Sequence, residues 1–200
     1  MAASRSTPRL QLTTLLLLGL LVLVAVSRRP SLPGIAGSAA VFAGFVCVTC
    51  AALGRIWTSI FIAGYKDERL VRNGPYAALR HPLYALSMLA MLGIGLTTRS
   101  IVITAATLLV FGLVYWASIR AEDAFLRSAH PSEFDRYAST VRALLPRWSA
   151  YQVPETLEVR PRVLWKAFLD AGSLLGFWAL LVAADALQRA GATPTWITLP

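Results

Sequence analysis

The chain has 200 residues, of which 56% are apolar and only 14% charged, and its mean hydropathy is +0.61. Soluble domains carry ~25% charged residues, so this composition leaves too little polar surface for a water-facing globule. It also excludes a disordered chain, which is poor in apolar residues, and a disulfide scaffold, because the only two cysteines lie within one apolar run. What remains is an integral membrane protein. The 19 Lys and Arg against 10 Asp and Glu give a net charge of +9. In a membrane protein such an excess marks cytoplasmic loops, and no nucleic-acid-binding motif accompanies it.

In chain order, Leu10 to Val26 is a 17-residue run without a charge, at the short end of the ~17–25 residues that cross a bilayer. Arg5 and Arg9 precede it and Ala25-Val26-Ser27 resembles a cleavage site, but the run exceeds the ~7–15 apolar residues of a signal peptide and is read as a retained helix. Ile35 to Leu53 is the second span, closed by Arg55. Cys47 and Cys50 form a C-x-x-C inside it with no second pair, so no metal or redox site is assigned. Leu83 to Leu96 and Ile101 to Ile119 are separated only by Thr97-Thr98-Arg99-Ser100, which forces a tight antiparallel hairpin. Gly93-Ile94-Gly95 within it points to close helix packing. The fifth run, Ala171 to Ala184, is short unless extended back through Val163, which brings Lys166 and Asp170 near one end; an interfacial helix is the alternative. The expected fold is all-α, with about five transmembrane helices.

The loops set the orientation. With the N-terminus inside, fifteen basic residues fall on the inner side and four on the outer. The two long polar segments, 55–82 and 120–162, then share the cytoplasmic face, where long loops carry function.

In the first segment, Asn73-Gly74-Pro75 is a turn signal, and Pro82 suits the first turn of span three. Arg80 and His81 therefore sit at the positive end of a helix dipole, where an anionic group or a carboxylate-bearing cofactor can bind. On residue chemistry alone, Arg80, His81, Tyr76 and Tyr84 read equally well as interfacial anchors. In the second segment, Arg120-Ala121-Glu122-Asp123 continues span four. Ser132 is the expected N-cap of a short helix carrying Phe134, Tyr137, Val141 and Leu144 on one face and ended by Pro146.

The ordered series Gly74-Pro75-Tyr76, Arg80-His81-Pro82-Leu83-Tyr84, an apolar hairpin, Arg120-x-Glu122-Asp123, and Phe134-x-x-Tyr137 to Leu145-Pro146 resembles the isoprenylcysteine carboxyl methyltransferases and their phospholipid N-methyltransferase relatives. It covers about residues 70–148. The resemblance implies S-adenosylmethionine in a cytoplasmic pocket, bound by Tyr76, Arg80, His81, Pro82, Tyr84 and Glu122. It implies catalytic or orienting roles for Arg120, Glu122, Arg136 and Tyr137, no metal, and a small or lipidic methyl acceptor presented from the bilayer: a carboxylate, an amine or a thiol. Two departures stand out: Leu86 where the family has glycine, and Asp123 where it has a second glutamate.

The chain thus divides into N-terminal helices and connector (1–69), a methyltransferase-like core (70–148), and a linker with a C-terminal apolar helix (149–200). Arg- and Ala-rich usage suggests a bacterial inner membrane. A non-catalytic membrane scaffold and an NADPH-dependent sterol-reductase-like enzyme are the alternatives, the latter belonging to a longer family with more spans.

Overall fold

The computed structural model describes residues 3–28, 31–62, 70–157 and 159–199, with side chains from residue 11 onward. Of the basic residues counted above, Arg29, Lys66 and Arg69 lie outside the described residues, as does the middle of the first polar segment, 63–69.

The fold is all-α apart from one two-residue strand pair. Helix α1 spans Ala3–Val26, α2 Gly34–Ile62, α3 Pro75–Ala78, α4 Pro82–Thr97, α5 Ile101–Ala129, α6 Pro131–Thr140 and α7 Pro161–Arg189; β1 is Ser27–Arg28 and β2 is Ile197–Thr198. Three helices, α2, α5 and α7, are long and apolar enough to cross a membrane. Two further apolar helices, Gln11–Val26 and Pro82–Thr97, are shorter.

Three boundaries differ from expectation. Arg55 does not close α2, which runs on to Ile62, because the arginine finds a carboxylate partner within the fold. The fifth run is a single 29-residue helix, α7, that takes in Lys166 and Asp170. Helix α6 begins at Pro131, whose fixed φ suits a first turn, with His130 rather than Ser132 at the N-cap. It ends at Thr140, leaving Val141 extended and Leu144 outside the helix.

The chain packs as two compact units. The first comprises Met1–Thr49, Leu89–Gly112 and Ser173–Pro200. Here α2 and α4 approach through glycine: a Cβ on Gly44 would stand 2.6 Å from the Gly93 carbonyl oxygen, and one on Gly93 the same distance from that of Gly44. Small residues admit this backbone contact, the usual means of helix association in lipid. Thr97 Oγ1 donates to the Gly93 carbonyl at 2.8 Å and accepts from Trp178 Nε1 of α7 at 2.8 Å, and the Trp178 ring packs on Phe45 at 5.0 Å. Val24, Val48, Ile94 and Leu181 are fully buried. The parallel pairing of β1 with β2 joins the end of α1 to the C-terminal segment.

The second unit comprises Cys50–Met88 and Leu113–Gly172. Leu86 of α4 lies against Gly54 of α2, where a Cβ would stand 2.6 Å from its Cδ2. Beside it, Arg55 Nε donates to Asp170 Oδ2 of α7 at 3.0 Å and Arg55 Nη1 donates to Ser87 Oγ of α4 at 2.6 Å, so one guanidinium ties three helices. Gly74 opens α3 at φ 58°, ψ −130°, a conformation open to glycine, and a Cβ there would strike the Phe61 ring. Its N–H donates to the Gln152 carbonyl at 2.7 Å.

Candidate functional site

The second unit gathers most of the residues singled out from the sequence. Pro82 begins α4 and His81 directly precedes it, with the His81 carbonyl accepting from the N–H groups of Tyr84 and Ala85. The two backbone donors just ahead of the helix are spoken for as well. Arg80 N–H donates to the Arg142 carbonyl at 2.8 Å, and His81 N–H to the Ala143 carbonyl at 3.1 Å. Arg147 N–H in turn donates to the Ala78 carbonyl at 2.9 Å. These three bonds lace residues 142–147 along the motif loop and account for the early end of α6, since only an extended Val141 lets the chain run beside residues 78–81.

The His81 side chain is 3% exposed, and its Nε2 is hydrogen-bonded to Asp123 Oδ1 of α5 at 2.8 Å. Arg80 Nη1 approaches the other oxygen of the same carboxylate at 3.5 Å. Asp123 therefore holds both residues, a role the sequence did not assign to it. A carboxylate accepts hydrogen bonds, so the imidazole donates from Nε2. The Tyr84 ring stands edge-on to His81 at 5.8 Å and packs at 5.8 Å on Tyr115 of α5.

Helix α6 supports the loop from its buried face. Phe134 is fully buried, with the Arg80 guanidinium 5.8 Å and the Arg127 guanidinium 5.4 Å from its ring centre. Tyr137 Oη donates to the Tyr76 carbonyl at 2.6 Å. Burial pushes both phenols well above the ordinary tyrosine value, and at Tyr76 the Glu122 carboxylate adds to the effect.

Tyr76, Arg80, His81, Pro82, Tyr84 and Tyr137 are thus brought into one neighbourhood with Asp123 and the charge of Glu122. Arg120 and Arg136 are exposed, the former lying over the Trp116 ring at 4.6 Å. A cavity of about 340 Å³ adjoins the loop, lined by Arg80, Arg142, Arg147, the end of α6 from Ala138 to Thr140, and Val141. Its size falls within the ~300–1,000 Å³ of small-molecule sites. Arg80 Nε is buried without a hydrogen-bond partner. A cavity with three arginines on its wall suits an anionic group such as an amino-acid carboxylate. Arg142 and Arg147 had no motif to single them out. Their one sequence signal is the pair of basic residues flanking Leu144-Leu145-Pro146.

The departure at Leu86 also finds its place. Its side chain fills the space that Gly54 leaves open on α2.

The profile of the phospholipid methyltransferase family matches residues 33–133. Among characterised proteins, the chain is 38% identical over 156 residues to a cobalt-zinc-cadmium resistance protein of Cupriavidus metallidurans, covering 78% of this chain and 72% of that one. It is 36% identical over 157 residues to a nickel-cobalt-cadmium resistance protein of Alcaligenes xylosoxydans xylosoxydans, covering 78% and 73%. No solved structure matches it.

Proposed function

The chain belongs to the phospholipid methyltransferase family, and from that premise we propose that it is an S-adenosylmethionine-dependent membrane methyltransferase acting on a small or lipidic acceptor with a carboxylate, amine or thiol. The observation that carries this reading is the buried His81 bound to Asp123 at the start of α4, beside an arginine-lined cavity. In this reading the membrane holds five helices, the N-terminus and the motif loop face the cytoplasm, and the host is a bacterial inner membrane, as the basic-residue tally favours. The motif core spans residues 70–148, with α7 an addition to it.

The bound cofactor supplies an electrophilic methyl group on a sulfonium, whose transfer needs in-line alignment more than acid–base help. Arg80, with Arg142 and Arg147 along the cavity, holds the cofactor carboxylate. Tyr76, Pro82 and Tyr84 shape the pocket, and Glu122 binds a cationic or hydroxyl group. His81 Nδ1 is the atom free to take a proton from an amine or thiol acceptor, Asp123 fixing the tautomer; a carboxylate acceptor needs no such base. Tyr137, its hydroxyl engaged by the Tyr76 carbonyl, works by positioning that residue. Arg120 and Arg136, exposed at the surface, meet the acceptor's polar head. Leu86, seated on Gly54, packs toward α2, which supports this reading over a non-catalytic scaffold. The relatives' names place them in resistance to divalent metals; we carry that setting over as the physiological context of the methylated product.

Calorimetry on the purified protein tests the reading. Saturable binding of S-adenosylmethionine and S-adenosylhomocysteine is expected, with none of NADPH. Glu122→Ala and Arg147→Ala should each weaken it at least ~10-fold, about 1.4 kcal/mol. Binding of NADPH alone points to a reductase, and binding of none of the three to a scaffold.

A further inference from the structure

In the first unit a cavity of about 750 Å³ is lined by Gly34, Ile35, Ser38, Ala39 and Phe42 of α2 together with Arg99. Apolar grooves are ordinary on lipid-facing helices; the arginine sets this one apart. Arg99 occupies the turn between α4 and α5 at φ 58°, the left-handed position where a helix end usually carries glycine and where another residue costs on the order of 1 kcal/mol. The backbone is held there from both sides, its N–H donating to the Leu96 carbonyl at 3.0 Å and its carbonyl accepting from Leu32 N–H at 2.9 Å. The side chain that results lies over Gly37 of α2, where a Cβ would stand 3.2 Å from Arg99 Cδ and 3.3 Å from Nη1. A Cβ at Gly37 would first strike the Leu32 carbonyl oxygen, so glycine there clears that turn as well as the face on which the guanidinium lies.

Among the described residues no acid pairs with that guanidinium. Its Nε is buried without a hydrogen-bond partner. The ion pairs among the described residues engage Arg55, Arg80, His81, Arg127 and Arg189, not Arg99. An arginine set against hydrocarbon without an acid is unfavourable by a few kcal/mol, so it is a strong point of attraction for an anion. From it runs an apolar stripe at helical spacing, Ile35, Ala39 and Phe42, with Ile35 89% and Phe42 68% exposed. Charge at one end and hydrocarbon along ~10 Å of helix is the shape of a lipid with an anionic head.

We propose that this groove is a binding site for an anionic phospholipid, its phosphate on the Arg99 guanidinium beside the Ser38 hydroxyl and one acyl chain along Ile35, Ala39 and Phe42. The site is separate in residues and in ligand from the motif loop, and it stands or falls independently of methyl transfer.

The test measures thermal unfolding of the full chain in detergent during titration with phosphatidylglycerol, with phosphatidylcholine of the same acyl chains, and with inorganic phosphate. Phosphatidylglycerol is expected to raise the midpoint at concentrations at least tenfold below those needed of phosphatidylcholine, and phosphate to leave it unchanged. Arg99→Gly is the diagnostic variant, because glycine takes φ 58° without strain and the turn survives. Without lipid it should melt within about 4 °C of the parent, and with lipid the tenfold preference should vanish. An equal response of the parent to both lipids, or a preference that persists in Arg99→Gly, overturns the proposal. A shift by phosphate equal to that by phosphatidylglycerol overturns the lipid assignment in favour of a free anion.

Discussion

Helices α2 and α4 meet twice, and the two meetings are built from different chemistry. At Gly44 and Gly93 they touch backbone to backbone, with the Thr97 hydroxyl beside the contact. At Gly54 only α2 gives way, Leu86 fills the gap, and the neighbouring Arg55 reaches Ser87 and Asp170. The first contact has no room for a Cβ, and its polar side chain, Thr97, is taken up by the Gly93 carbonyl and by Trp178. The second places Ser87 on α4 three and six residues beyond Tyr84 and His81, so the unit that carries the motif is braced by a charged side chain. The lesson is that a close backbone approach with a single hydroxyl holds the first meeting, while a guanidinium reaching across helices holds the second and fixes direction as well as distance.

Replacing Gly93 with Val should disturb the molecule most. The added atoms would fall on the Gly44 carbonyl and on Val48 Cγ2, a backbone group and a buried side chain with nowhere to move. Overpacking of this kind costs ~3 kcal/mol, visible as a large drop in the melting midpoint in detergent. A smaller loss follows from Arg55→Gln or Asp170→Asn, about 1–2 kcal/mol each, because the pair is only partly buried, Arg55 being 23% and Asp170 47% exposed. The double variant should cost less than the two singles added together, and strict additivity would show that the brace is not a coupled unit. Tyr137→Phe comes next: it removes the 2.6 Å bond to the Tyr76 carbonyl, worth ~1 kcal/mol, and should weaken cofactor binding more than it lowers the melting midpoint.

The gentlest probe is pH. Tyr76 and Tyr137 are raised above their ordinary value of 10.0 by burial, so the folded chain retains protons that the unfolded chain gives up. Their contribution to stability is complete below pH ~10 and is lost as the pH rises through and beyond that value. Melting curves taken from pH 9 to 11 should therefore fall, and less steeply in Tyr137→Phe.

His81 shows how a candidate residue can be singled out while its wiring is missed. The residue and its place before Pro82 follow from a local signal, since proline suits a helix start and a charged pair ahead of it faces the dipole. Its partner does not. Glu122 and Asp123 are adjacent on α5 and chemically alike, and only the rotation of that helix against α4 turns Asp123 to the imidazole. Likewise Ser132 has the right chemistry for an N-cap, but with His130 in that place and Pro131 in the first turn the helix starts two residues earlier, and the chain leaves it at Val141 because residues 142 and 143 accept bonds from Arg80 and His81.

Apolar runs, their lengths, the tight turn at 97–100 and the motif order were all readable along the chain, because hydrophobic patterning and turn chemistry act over a few residues. The helix pairs that meet through glycine, the carboxylates that answer Arg55 and His81, the arginines gathered around the cavity, and the guanidinium left unanswered at Arg99 came only with the fold. Each is a relation between residues distant in sequence, and in an apolar setting a charge takes its partner from whatever the packing brings within reach.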